Sequence, residues 1–170
     1  SSIYGDGGGK IFSSTDGITF TDTFTVIGAN RTHIAVSSQN AGTIYILAEI
    51  SGGVTLQSTT DGFASDSTNL ALPNDADTGI SAADFTRGQA FYDLMLEVDP
   101  TNDQNIYTGG IDLFKSDDAG ASWNQFTHWF GGFGFQYAHA DQHAMTFANG
   151  DSNRVLFGND GGVFFSNDAG

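Results

Sequence analysis

Short runs of alternating hydrophobic and polar residues recur along the whole chain and predict β-strands. Leu94, Leu96 and Val98 fall at every second position and therefore lie on one face of an extended strand. Such runs are rich in β-branched and aromatic residues and are bounded by Gly, Asp, Asn, Ser and Thr, the residues that favour tight turns. The pattern predicts an all-β chain.

One unit of this pattern occurs four times. Each copy has a β-run, a turn, a second β-run and a Ser/Thr-rich segment around an Asp. These residues, Asp16, Asp61, Asp118 and Asp168, are 45, 57 and 50 residues apart. A period of roughly 40–50 residues with several short strands is typical of β-propeller blades.

The repeats predict a β-propeller with four-stranded antiparallel blades. We expect residues 1–170 to be a partial propeller, with about three to four blades of a larger ring, in segments of about 1–32, 33–90, 91–138 and 139–170. Innermost strands are predicted at His33–Val36, Asp93–Val98 and His143–Phe147. The first copy, with a strand at Ile3–Gly5, lacks an innermost strand, and the fourth stops inside its turn. The long middle interval predicts a loop at about 65–89.

The third copy has a distinctive turn, Ser116-Asp117-Asp118-Ala119-Gly120-Ala121-Ser122-Trp123. In this Asp-box pattern the Asp accepts hydrogen bonds from backbone N–H groups, the Gly takes a positive φ, and the aromatic packs into the blade core. The second copy lacks an aromatic at the expected place. Residues predicted to have this structural role are Ser14, Asp16, Gly17, Asp61, Ser116, Asp118, Gly120, Trp123, Ser166 and Asp168.

Composition narrows the function. The chain has 20 acidic and 5 basic residues, a net charge of −15, so it repels phosphate backbones and nucleic-acid binding is not expected. It lacks Cys and any apolar run near the roughly 20 residues of a membrane span, so it is not predicted to span a membrane. No signal peptide is visible, and we expect a mature, trimmed or partial chain.

Eighteen of the 20 acidic residues are Asp, whose short side chain suits tight turns. No cofactor is predicted, with Ca²⁺ in the Asp-rich loops as the alternative.

Three segments, Tyr92–Gly110, His139–Ala144 and Gly158–Ser166, resemble the Asp-box (BNR) repeat superfamily. That superfamily includes sialidases, xyloglucanase-type glycoside hydrolases and the sortilin/Vps10 ectodomain, and the likeness is strongest to large exported bacterial propellers of the sortilin-like type. It covers about 91–170 well and the first half loosely. The resemblance implies a secreted or cell-surface protein, exported in Bacteroidetes by type IX secretion. The implied partners are the remaining blades of the same polypeptide or an associated surface protein.

The segment His139-Ala140-Asp141-Gln142-His143 is the first candidate site. On a strand, its three alternate polar side chains share a face. An aromatic, Gly-rich segment precedes it, and aromatic rings beside carboxylates suit sugar binding. A transition-metal site and a buried polar network are the alternatives. The candidate ligand-binding residues are His139, Asp141, His143, Trp129, Phe133, Tyr137 and Asn159.

The second candidate is Asn159-Asp160-Gly161-Gly162. In the xyloglucanase-type hydrolases a Thr-Asp-x-Gly-Gly segment at this blade position carries a catalytic Asp, so the resemblance implies Asp160. A glycosidase needs two carboxyl groups. Asp141 is the nearest plausible second one in this chain, although the family takes its partner from a distant blade. The alternative is a tight turn capped by Asp160.

These observations favour a non-catalytic surface propeller, an adhesin or a carbohydrate- or protein-binding part of a larger surface protein, with polysaccharide as a candidate partner. The alternative is a xyloglucanase-like glycoside hydrolase acting on polysaccharide. A third hypothesis is a sortilin-like propeller that binds peptides. A sialidase is disfavoured. This chain has three arginines, Arg31, Arg87 and Arg154, and none of them lies in a segment that matches the sialidase pattern.

Overall fold

The computed structural model describes residues 8–170, and the strand predicted at Ile3–Gly5 lies outside them. Regular structure in this part of the chain is β, apart from one 3₁₀ turn at Ala148–Gly150. No helix among these residues has the length and apolar character needed to cross a bilayer.

The described residues form fifteen strands. They are β1 Lys10–Ser13, β2 Thr21–Thr25, β3 Arg31–Val36, β4 Ile44–Ile50, β5 Gly53–Thr59, β6 Thr68–Asn69, β7 Met95–Val98, β8 Ile106–Gly109, β9 Leu113–Ser116, β10 Asn124–Gln125, β11 Thr127–His128, β12 Gln136–Tyr137, β13 Gln142–Phe147, β14 Val155–Asn159 and β15 Gly162–Ser166. The successive antiparallel sheets are β1-β2, β3-β4-β5-β6, β7-β8-β9-β10 and β13-β14-β15, and β11 pairs with β12 in parallel.

The core lies between consecutive sheets, as in the blades of a propeller. Strand β4 shows how the sequence achieves this, because its run of large apolar residues is buried on both faces. Ile46 and Ala48 pack toward the first sheet, whereas Tyr45 and Leu47 pack toward the third. Each middle sheet is therefore covered on both faces, and the stack is held by apolar contacts between blades.

The antiparallel order gives the stack two ends, which we call the upper and lower faces. The innermost strands β3, β7 and β13 begin at the upper face, where the turns β4–β5, β8–β9 and β14–β15 also lie. The turns β5–β6 and β9–β10 lie at the lower face. Because β7 contacts both β3 and β13, residues just before these strands are brought together at the upper face.

Ser/Thr-x-Asp turns occupy the lower face. In the third sheet, Asp118 accepts hydrogen bonds from Ser122 N at 2.8 Å and Ser122 Oγ at 2.6 Å, and Ser116 Oγ accepts from Gly120 N at 2.8 Å. Gly120 has φ +86°, and a Cβ there would lie 2.8 Å from Leu70 Cδ1, so this position requires glycine. Asp16, Asp61 and Asp168 accept the corresponding Ser or Thr hydroxyl bonds.

The aromatic residues of these turns pack between blades. Trp123 Nε1 donates to Ala71 O, 2.9 Å away, and its ring lies against the core between the second and third sheets. In the second copy, where the expected aromatic is missing, Phe63 has φ +68° and stacks on Phe24 of the first sheet at 4.4 Å between ring centroids. These two turns thus join the third blade to the second and the second blade to the first.

The loop predicted at about 65–89 contains β6, the fourth strand of the second sheet, and strand structure is otherwise absent from it. Among the described residues the first sheet has two strands and the last has three, whereas both middle sheets have four.

Candidate functional site

Five polar side chains meet at the upper face. Tyr92 and Asp93 lie just before β7, separated from it by Leu94; Asp141 precedes β13 and His143 is its second residue; Asp160 is in the β14–β15 turn. They come from the third and fourth repeats and converge because their innermost strands are neighbours. We call these five residues the upper acidic cluster.

Asp160 is the cluster's best-defined acceptor. Tyr92 Oη lies 2.9 and 3.0 Å from its two carboxylate oxygens, and His143 Nε2 lies 2.7 Å from Oδ1. The hydrogen bond from His143, followed by that from Tyr92, holds the pKa of Asp160 below its usual range. Asp160 and His143 remain about one third exposed, so an ionised, oriented carboxylate faces solvent.

Asp93 has the opposite environment. Its side chain is fully buried, and neither carboxylate oxygen has a hydrogen-bond partner among the described residues. Burial, with the neighbouring Asp141 carboxyl group second, raises the pKa of Asp93 to about 8. At neutral pH Asp93 is therefore protonated, while Asp160 is ionised.

Arg31, at the start of β3, fixes the segment that carries Tyr92 and Asp93. Its guanidinium donates to the backbone oxygens of Ala90, Tyr92 and Leu94 and lies 3.2 Å from His33 Nε2. Burial, then the charge of Arg31, lowers the pKa of His33 to about 4, so His33 is neutral at neutral pH. Arg31 thus positions the backbone of the segment that carries Tyr92 and Asp93.

The prediction that His139, Asp141 and His143 share one strand face is wrong. Asp141 has φ +67°, outside the extended region, and β13 begins only at Gln142. His139 and His143 still lie near Asp160, because His143 bonds to Asp160 and His139 packs on the turn glycine Gly161. A Cβ at Gly161 would lie 2.4 Å from His139 Cβ, so that turn requires glycine for close approach.

Asn159, predicted as a ligand residue, is buried and bonded within the protein. Its Nδ2 donates to Gln142 Oε1 at 3.3 Å, and its Oδ1 accepts from Gly161 N at 3.1 Å. Gln142 also donates to Ile111 O and His139 O. These contacts hold the turn that presents Asp160.

The predicted aromatic residues separate into two groups. The rings of Trp129 and Phe133 lie beside the buried His128, with centroids 6.1 and 5.1 Å from that of His128, and both residues are exposed to solvent, Phe133 more than Trp129. Tyr137 instead packs on Phe164, at 5.8 Å, beside a groove of about 470 Å³ between the third and fourth sheets.

A second polar cluster on the upper face was not predicted from the sequence. Arg87 Nη2 lies 2.7 Å from Asp75, 2.8 Å from Asp77 and 3.2 Å from Asp112, and Asp112 also accepts from Trp129 N. This Arg87 network attaches the long loop to the β8–β9 turn beneath the aromatic segment. No motif or periodicity in the sequence pairs Arg87 with these carboxyl groups, which lie 12, 10 and 25 residues from it.

Among residues 8–170, no three or more His, Asp or Glu side chains are arranged to hold a metal ion. The geometry of the upper acidic cluster instead suits hydrogen bonding to hydroxyl groups. It offers an ionised acceptor, a phenol and an imidazole at the surface, and the exposed residue Phe91 directly precedes Tyr92 in the chain.

Structural comparison finds similar folds in known proteins. The crystal structure of the Niastella koreensis GH74 enzyme aligns with a TM-score of 0.54 at 20% identity, over 84% of this chain and 22% of that one. An ancestral GH74 enzyme aligns with a TM-score of 0.56 at 16% identity, over 91% and 19%. YCF48 bound to D1 peptide aligns with a TM-score of 0.50 at 11% identity, over 84% and 38%.

At these identities the likeness establishes the fold alone. The chain has the all-β fold of part of a β-propeller, and it spans about a fifth of the length of the GH74 enzymes that it resembles. No protein-family model and no curated protein matches this chain.

Proposed function

We propose that the chain is a glycan-binding part of a larger, secreted or cell-surface propeller, with the ligand bound at the upper acidic cluster. The proposal rests on one observation: the carboxylate of Asp160 is partly exposed and is oriented by hydrogen bonds from Tyr92 and His143. Phe91 and Tyr92, both substantially exposed, supply rings for the apolar face of a pyranose. Carboxylate acceptors beside exposed rings suit a sugar better than they suit an anion.

Charge narrows the ligand class further. With a net charge of −15, the chain repels acidic glycans and nucleic acids, and the cluster itself adds carboxylates. A neutral polysaccharide is therefore the proposed ligand. The Ser/Thr-x-Asp turns support assignment to the Asp-box repeat proteins, and the remaining blades of a larger ring are the proposed partners.

The test is calorimetric titration with neutral oligosaccharides, for example cellohexaose and a xyloglucan heptasaccharide. Asp160→Asn should weaken binding about tenfold or more, because the amide disrupts the bonds from Tyr92 and His143 and removes a charged acceptor. Asp66→Asn, at an exposed carboxylate beside the Asp61 turn on the lower face, is the matched control. Equal affinity for the two variants would contradict the proposed site.

A glycoside hydrolase is the second candidate, because a glycosidase needs two carboxyl groups and the upper acidic cluster contains more than one. In this proposal Asp160 is the base. Asp141 is the second carboxyl group, since Asp93 has no exposed surface with which to contact a substrate.

Reducing-sugar release from xyloglucan and β-glucan separates these two functions. A hydrolase should lose activity in both Asp160→Asn and Asp141→Asn, by at least about a hundredfold. Binding without any turnover would support the non-catalytic module, whereas turnover unaffected by either change would exclude both residues as the catalytic pair.

A further inference from the structure

The unusual feature of the upper face is the buried side chain of Asp93. It has no exposed surface, and both of its oxygens lack a hydrogen-bond partner among the described residues. Buried carboxylates in folded proteins are normally paired or hydrogen-bonded, because an unpaired buried charge is strongly destabilising. An ionised Asp93 is therefore inconsistent with its surroundings.

The charged and titratable groups around Asp93 do not supply a donor. From β3, Arg31 directs its guanidinium to three backbone oxygens and to His33. From the other side, Tyr92 and His143 both bond to Asp160. The remaining neighbour is Asp141, whose carboxyl group lies beside that of Asp93 and is itself an acceptor when ionised.

Two adjacent carboxyl groups that have no other hydrogen-bond donors can lie side by side if they share one proton, because the protonated group then donates to the ionised one. We propose that Asp93 and Asp141 share a proton, with Asp93 as the neutral acid that donates to Asp141, and that this bond positions the Asp141 carboxylate for ligand binding. Asp93 is then a positioning residue, since it has no surface with which to touch a ligand. The ligand part of this inference rests on the proposed function.

The shifted pKa of Asp93 and the backbone conformation of Asp141 both agree with the shared proton. Burial and the neighbouring Asp141 raise the pKa of Asp93 to about 8, so the acid form persists at neutral pH. Asp141 has φ +67°, a conformation unfavourable for a side chain with a Cβ, and a hydrogen bond to its carboxylate would help to hold it. Loss of the proton should release Asp141 and place two repelling charges beneath the site.

The shared proton can be tested without any ligand. Carboxyl carbons of ¹³C-labelled Asp should include one that titrates near pH 8, and Asp93→Asn should abolish that transition. Asp112→Asn is the matched control, because Asp112 is a second buried Asp with a raised pKa and lies in the Arg87 network. If no Asp titrates above about pH 6 other than Asp112, the proposal is overturned.

The positioning role is tested by affinity for cellohexaose across the same pH range. Wild-type affinity should fall about tenfold as pH rises through the transition, whereas Asp93→Asn, which keeps an N–H donor, should bind with little pH dependence. Asp93→Ala should bind about tenfold more weakly at every pH. Pair titration without glycan binding would support the shared proton and refute the proposed function. Binding unaffected by Asp93→Ala would refute the positioning role alone.

Discussion

The upper and lower faces of the blades use aspartate in opposite ways. At the lower face, Asp118 accepts hydrogen bonds from the side chain and backbone of Ser122 and from Ser116, and these bonds lower its pKa to about 2. At the upper face, Asp93 is buried with no donor, and its pKa is raised to about 8. Both are Asp residues adjoining short strands of the same sheet, so the environment decides their chemistry.

The two faces differ because the neighbours of a lower-face Asp come from its own turn, whereas the neighbours of Asp93 come from distant segments of the chain. A turn supplies its own N–H groups within a few residues, so a lower-face Asp is satisfied by its own segment. Asp93 depends on neighbours from β3 and from the segment before β13, and those neighbours bring a carboxyl group and an arginine bonded elsewhere. We therefore expect lower-face Asp residues to stabilise the fold and Asp93 to cost stability.

The largest effect should come from the Arg87 network, where the upper face does stabilise the fold. Arg87→Met leaves Asp75 and Asp112, both almost completely buried, without their counter-charge. Removing one partner of a buried ion pair typically costs about 3–5 kcal/mol, and urea unfolding would measure it. The matched variant Arg154→Met, at an exposed arginine, should change the free energy of unfolding by less than about 0.5 kcal/mol. Similar small losses in both variants would show that the network contributes little to the fold.

Asp93→Asn should have the next largest effect, and this effect should depend on pH. A folded pKa of about 8 lies above the unfolded value of 3.8, so folded Asp93 keeps a proton that the unfolded chain has released. The contribution of Asp93 to the free energy of unfolding is therefore most favourable below about pH 4, and it is lost as the pH rises toward 8. Between pH 5 and pH 8, wild type should lose about 2–4 kcal/mol relative to Asp93→Asn.

Urea unfolding of both proteins at several pH values measures this difference. Glu97→Gln is a useful comparison, since burial also raises the pKa of Glu97, on the strand β7 that follows Asp93, but no carboxyl neighbour adds to it. If wild type and Asp93→Asn had parallel pH profiles, the contrast between the two faces would be lost.

The sequence contained much of the fold and only part of the site. The recurring Asp-rich turns predicted the blades. Each turn could be recognised in the sequence because its hydrogen-bond donors and acceptors lie within a few residues of one another. Asp160 and His143 were found from motifs, although the strand face assumed for Asp141 was wrong. Asp93 looked like an ordinary strand residue, since its charged neighbours Arg31, 62 residues before it, and Asp141, 48 residues after it, are brought to it only by the fold. The Arg87 network likewise joins residues that no periodicity connects.

A smaller effect is expected at the lower face. Ser116 is fully buried, donates to Asp118 and accepts from Gly120 N, so Ser116→Ala should cost about 1–2 kcal/mol. Ser14 makes the same bonds in the first repeat, but it is only half-buried and its bond partners are exposed to water, so Ser14→Ala should cost about 0.5 kcal/mol or less. Thermal unfolding of the two variants compares one turn in two environments. Equal losses would mean that the turn's own bonds matter more than its burial.

The smallest effect on stability should come from Tyr92→Phe. The Tyr92 hydroxyl bonds only to Asp160 among the described residues, and both groups are exposed to solvent, so water replaces the lost bond. We expect a change of less than about 0.5 kcal/mol in the free energy of unfolding. The same variant should bind neutral oligosaccharides several-fold more weakly, because Asp160 loses one of its two orienting donors. A large loss of stability with unchanged binding would mean that the upper acidic cluster, like the turns at the lower face, serves the fold.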